Sequence, residues 1–113
     1  MGDRGEQIAE AYLTARGYEL LARNYRAGHY ELDLVMRQGK TIVFVEVKAR
    51  SGTAFGTPAE FVTKRKRRNL LFAAQAYLQT CNVGDAPVRM DVVEVYLSDG
   101  RVRHIENAFG EGD

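Results

Sequence analysis

The chain has one cysteine, two histidines, two prolines and almost no net charge, +1 from 16 basic and 15 acidic residues. Each scarcity removes a class of protein. A single thiol, Cys81, forms no intramolecular disulfide and suits a reducing compartment, so a cytoplasmic location is expected, with Cys81 as inert packing. His29 and His104 stand alone in the sequence, and with one cysteine they do not supply the clustered nitrogen and sulfur ligands of a zinc site. No run approaches the roughly 20 apolar residues that span a bilayer, and the first residues are polar and acidic, so neither a membrane span nor an export signal is expected. No glycine-rich loop follows a strand and opens a helix, which leaves P-loop nucleotide hydrolysis unsupported. Repeats, linkers and low-complexity segments are lacking too, and 113 residues is the size of one compact unit, so a single domain over residues 1–113 is expected.

What is present is 45% apolar and 27% charged, the balance of a chain that folds. A near-neutral sum argues against whole-domain basicity, the usual footprint of a nucleic-acid binder. The distribution argues the other way. Lys64, Arg65, Lys66, Arg67 and Arg68 are consecutive, Lys48 and Arg50 precede them, and acids dominate the two ends. One cationic face results, fit to contact phosphates without reading sequence.

The patterning predicts an α/β fold, a mixed central sheet flanked by helices. From Asp3 to Arg16, Ile8, Ala11, Tyr12 and Ala15 recur at helical spacing, and Gly17 follows as a stop. Tyr18 to Arg23 predicts a first strand, followed by the polar Asn24-Tyr25-Arg26 segment. His29 to Arg37 and Thr41 to Arg50, rich in Val, Leu, Ile and Phe, predict a hairpin. Ser51 to Gly56 reads as a loop. Thr57-Pro58-Ala59-Glu60 carries an N-cap, a proline at the first helical position and a capping-box acid, so a helix is expected to start there and run toward Gln79 with Phe61, Leu71, Ala74 and Leu78 inward; Thr63 is an alternative cap. Val88 to Leu97 and Arg101 to Ile105 predict two more strands around the Ser98-Asp99-Gly100 turn.

The chemistry-bearing residues lie in the hairpin. Strand side chains alternate, so Glu46 and Lys48 share one face while Val43, Val45 and Val47 share the other; on the preceding strand Glu31, Asp33 and Val35 share a face opposite Leu32 and Leu34. If Gly39 and Lys40 form a two-residue turn, Asp33 stands directly opposite Glu46, and Glu31 opposite Lys48; if Gln38 and Gly39 form it, Asp33 and Glu46 are diagonal neighbours on one face. Opposed carboxylates repel and call for compensation. A divalent cation such as Mg²⁺, held by one or two carboxylates plus substrate phosphate, supplies it.

Gly5-Glu6, Gly17-Tyr18, Asn24-Tyr25-Arg26, Glu31-Leu32-Asp33-Leu34-Val35, Val43-Phe44-Val45-Glu46-Val47-Lys48-Ala49-Arg50 and Thr57-Pro58 together resemble the YraN-like family of bacterial proteins, over nearly the whole chain. That family is similar to the PD-(D/E)xK nuclease superfamily, in particular to archaeal Holliday junction resolvases. The resemblance implies a restriction-endonuclease-like core and Mg²⁺- or Mn²⁺-dependent endonuclease chemistry on DNA of branched form. It implies Asp33 and Glu46 as metal ligands, Lys48 at the attacking water, and Glu6 as the acid of the first helix. Nucleic-acid contacts are expected from Arg26, Arg50, Lys64, Lys66 and Arg67, and a homodimer because junction resolution needs two cuts. The alternative is a nucleic-acid-binding module that keeps the fold without cleaving. Asp91 is expected to be ion-paired structure.

Overall fold

A computed structural model describes residues 4–50 and 63–109. The order of elements is α1 (Arg4–Ala15), β1 (Glu19–Ala27), β2 (Tyr30–Gln38), β3 (Thr41–Arg50), α2 (Lys64–Cys81), β4 (Val88–Tyr96) and β5 (Arg101–Phe109). The strands form one five-stranded mixed sheet in sequential order. Its pairs are antiparallel apart from β3 and β4, which run parallel. A parallel pair needs a long crossover, and α2 lies within it. The α/β expectation therefore holds, with one helix on each face of the sheet. The Ser51–Gly56 loop, the helix start at Thr57–Glu60 and Phe61 lie outside the described residues.

The α1 side of the sheet packs Leu34, Met36, Val43, Val45, Val93 and Val95 against Ala9 and Leu13. The α2 side packs Val35, Ile42, Phe44, Met90 and Val92 against Leu70, Ala73, Ala74 and Tyr77. The helix thus begins from the alternative cap, Thr63, whose hydroxyl accepts the Lys66 N–H at 3.1 Å. At its far end Asn82 closes it in the left-handed region at φ 50, a conformation asparagine tolerates better than most residues. No described helix is long and apolar enough to cross a membrane.

Three expectations are corrected. The buried ridge of α1 is Gly5, Ala9 and Leu13, with Ile8 and Tyr12 half-buried and Ala11 and Ala15 exposed. Leucine at position 13 outweighs the alanines in apolar area, so the helix rotates to bury it. Cys81, at the end of α2, is exposed rather than packed. Leu32 and Leu34 do not share a face: Leu32 joins the α2-side core and Leu34 the α1-side core.

The last correction has a local cause. Tyr25 pairs with Leu32 and Arg23 with Leu34, so Asn24 and Asp33 stand between those pairs, and Asn24 has φ 49. A left-handed residue breaks the alternation of β1. Tyr25 turns to the α2 side, its ring edge-on to Tyr77 at 5.1 Å, while Arg23 meets Glu10 of α1 at 2.7 Å. β2 follows the same kink at Asp33.

The rotated α1 face makes a test. Leu13→Ala is expected to lower unfolding free energy by about 3 kcal/mol, whereas Ala11→Ser changes it by less than about 0.5 kcal/mol. Urea titration of both variants checks this, and equal losses would place the buried ridge elsewhere.

Candidate functional site

The β2–β3 turn sets the site. Gln38 pairs with Thr41 and Leu34 with Val45, which leaves Gly39 and Lys40 as the two loop residues. Gly39 takes φ 60 and Lys40 does not have positive φ, the pattern of a Gly-first primed turn. The same register carried one step further aligns Asp33 with Glu46. The backbone ladder stops at Leu34 and Val45, and the Val47 N–H donates instead to Asp33 Oδ2 at 2.8 Å. The kink therefore opens the strands and puts a carboxylate where a carbonyl would otherwise have been.

Within that opening the Asp33 carboxyl lies next to that of Glu46, close enough for the Glu46 charge to act on it. Glu46 is 5% exposed. Burial, then the Glu46 charge beside it, push the Asp33 carboxyl up to about 8, with Glu6 adding a smaller push and the Val47 N–H opposing. Near neutral pH the Asp33 carboxyl therefore keeps its proton. Glu6, in the first turn of α1, accepts the Asn24 side-chain N–H at 2.9 Å, which ties it to the residue that makes the kink.

Two ammonium groups face the pair. Lys48 Nζ lies 3.6 Å and Lys66 Nζ 3.5 Å from Glu46 Oε2. Lys66 comes from the first turn of α2, so the helix and the hairpin meet at this carboxylate. The expected Glu31 to Lys48 pairing is not formed: Glu31 stands opposite Arg26 on β1, 3.6 Å from its guanidinium. Among the basic candidates, Lys64 is exposed, Arg67 is half-buried and Arg26 is solvent-facing. Arg50 instead binds Glu94 at 3.0 Å.

Two further buried acids provide a contrast. Asp91 takes two bonds from the Arg89 guanidinium at 2.9 and 3.0 Å, one from the Asn107 N–H at 2.9 Å and a contact with His104 Nε2 at 2.6 Å. Burial alone would raise it, but the bonds from His104, Arg89 and Asn107 hold it below the usual carboxylate range. Glu94, fully buried, is bound by Arg50, by Arg103 at 3.1 Å and by the Tyr96 hydroxyl at 2.6 Å. Its signal in the sequence is a lone charge in the β-branched run Val92-Val93-Glu94-Val95. Asp91 is held by directional hydrogen bonds, and Glu94 by two such bonds and a second guanidinium, the arrangement of structural buried charges. Glu46 is held at longer range by two flexible lysines and a second carboxyl, an arrangement that leaves oxygen lone pairs for another cation. Among the described residues no three His, Cys, Asp or Glu side chains form a ready-made metal cage. An Asp–Glu oxygen pair still suits a hard cation that takes its remaining ligands from water and phosphate.

The raised Asp33 carboxyl has a pH signature. Between about pH 4 and pH 8 the folded chain keeps a proton that the unfolded chain has released, so stability falls as pH rises through that window, by up to about 1.4 kcal/mol per pH unit. Asp33→Asn keeps an acceptor for Val47 and removes the titration. Urea midpoints measured in EDTA from pH 5 to pH 8 are expected to fall more steeply for the parent than for Asp33→Asn, with the variant the more stable at pH 8. Parallel slopes would show that Asp33 does not keep its proton.

Comparison with known proteins gives one consistent result. The model of Uncharacterised protein family UPF0102 matches residues 5–95. A UPF0102 protein of Symbiobacterium thermophilum is 47% identical over 112 residues, covering 96% of this chain and 95% of that protein. One of Clostridioides difficile is 43% identical over 108 residues with the same coverage, and one of Bacteroides thetaiotaomicron is 42% identical, covering 96% of this chain and 91% of that protein. With most of its length matched by the family model and by these relatives, the chain belongs to Uncharacterised protein family UPF0102, the YraN-like family whose motifs its sequence carries.

Proposed function

We propose that this chain is a metal-dependent endonuclease with a restriction-endonuclease-like core, hydrolysing phosphodiester bonds in DNA of branched or otherwise structured form. The observation that carries the reading is the buried Asp33–Glu46 carboxyl pair with Lys48 and Lys66 beside it. Burial of Asp33 beside Glu46 crowds two acidic groups into a confined space. Mg²⁺ or Mn²⁺ fits there through the Asp33 and Glu46 oxygens, and when bound it supplies an acidified water and neutralises charge on the phosphate oxygens.

The protein side chains do the rest. The Val47 N–H and the αL turn at Asn24 hold Asp33 in the opening, so its oxygens are oriented before substrate arrives. Lys48 lies beside the attacking water and stabilises charge that grows on the phosphate in the transition state. Lys66 adds a second cation on the same oxygen, and Glu6 supports the acidic wall through Asn24. Lys64, Arg67 and Arg26 contact flanking phosphates and set orientation rather than sequence preference. The preference for branched DNA, and a homodimer that makes paired cuts, come from the likeness to junction resolvases.

One observation favours a different class, a nucleic-acid-binding module of the same fold without turnover: two ammonium groups already match Glu46. Incubation of four-way junction, flap, duplex and single-stranded DNA, and of RNA, with the chain and Mn²⁺ separates the two. Cleavage of the branched substrates is expected, abolished by EDTA and reduced roughly a hundredfold or more by Asp33→Ala, Glu46→Ala or Lys48→Ala. Binding without cleavage would support the module, and cleavage indifferent to Lys48→Ala would trace the activity to a contaminant. Calorimetric titration with Mn²⁺ is expected to show binding in the parent and none in Asp33→Ala.

A further inference from the structure

Beside the carboxyl pair, between the β1–β2 turn and α2, lies a cleft of about 180 Å³ lined by His29, Tyr30, Glu31, Lys66, Asn69 and Leu70. Lys66 belongs to both places, since its ammonium is 3.5 Å from Glu46 and its side chain forms one wall of the cleft. Phe72 continues the rim. It is 53% exposed, and its ring meets Tyr30 edge-on at 5.3 Å.

The lining selects the ligand. Glu31 repels a phosphate there, although Arg26 partly offsets its charge at 3.6 Å. The Tyr30 ring and Leu70 in the lining, the exposed Phe72 ring set against Tyr30, and the amide of Asn69, which both donates and accepts, suit a flat heteroaromatic base instead. The surface around the cleft is cationic, with Arg65 and Arg68 exposed on the turns of α2 that precede Phe72. Basic residues interleaved with an exposed aromatic form the combination that binds single strands, in which cations track the backbone and rings stack on bases. A paired base, stacked within a duplex, cannot enter.

We propose that this cleft receives one unpaired nucleobase of the strand running through the Asp33–Glu46 site, stacked on the exposed Phe72 ring at its rim, beside Tyr30, with its edge on Asn69. The inference deepens the nuclease reading and rests on it for the identity of the strand. It makes the enzyme selective for sites where a base next to the cut is already unpaired, as at a flap or a junction.

The test measures binding separately from cleavage. Fluorescence anisotropy in EDTA compares a labelled single strand, a blunt duplex of the same sequence, and that duplex with a single-stranded flap. The single strand and the flap are expected to bind about tenfold more tightly than the blunt duplex. Phe72→Ala and Asn69→Ala are each expected to weaken single-strand binding about tenfold, the size of one lost stack, leaving blunt-duplex binding unchanged, and Phe72→Tyr restores it. Single-strand binding indifferent to Phe72→Ala, or an equal loss on blunt duplex, overturns the proposal. Phe72-dependent single-strand binding with no metal-dependent cleavage keeps the cleft and removes the nuclease reading. Lys48-dependent cleavage with Phe72-independent binding does the reverse.

Discussion

The site depends on one hydrogen bond in an unusual place, the Val47 N–H donated to the Asp33 carboxylate instead of to a backbone carbonyl. An antiparallel ladder that continued past Leu34 and Val45 would hold Asp33 and Glu46 as ordinary cross-strand neighbours with their charges turned to solvent. The left-handed turn at Asn24 prevents this by shifting β1 and β2 together, so that Tyr25 and Leu32 serve one core and Arg23 and Leu34 the other. Asp33 then fills the opening, and its side chain satisfies a backbone donor that burial would otherwise penalise. The geometry that joins the two acids is also what keeps the hairpin intact where it splays.

Charge in the interior of this protein is sorted by how it is held. Asp91 and Glu94, on the parallel strand beside β3, are locked by guanidinium groups and by a hydroxyl or a backbone N–H at 2.6–3.1 Å. Such pairs tie β4 to β5 and to the end of β3, and removing one partner would leave a buried charge alone. Glu46 is met instead by two ammonium groups at 3.5–3.6 Å. Lysine is a compact point charge on a flexible stem, easily moved aside or shared with a phosphate. The difference between Glu46 and the other two acids is therefore one of partner chemistry, since all three are buried.

The first turn of α2 departs from helix electrostatics for the same reason. Its start carries five consecutive bases and no acid, where the helix dipole favours negative charge. Lys66 occupies the position where a capping box has Glu or Gln. Thr63 caps the helix, and the Lys66 side chain runs across to Glu46 rather than back along the helix. A local rule is broken where Lys66 reaches the buried Glu46, the kind of conflict the proposed site accounts for.

The sequence by itself determined whatever depends on short-range stereochemistry. Alternation along Val43 to Lys48 and a Gly-first turn at Gly39 were enough to set the β2–β3 register from Gln38–Thr41 to Leu34–Val45, because both the period of a strand and the twist of a two-residue loop are local properties. Thr63 as a cap and the α/β order were readable on the same grounds. Tertiary structure alone decided the rest: the rotation of α1 onto Leu13, the divergence of Leu32 from Leu34, the capture of Arg50 by Glu94 and the arrival of Lys66 at Glu46. Each of these joins residues distant in the chain or weighs one buried face against another. Spacing along a chain carries no information about such contacts until the sheet and its two helices have closed around them.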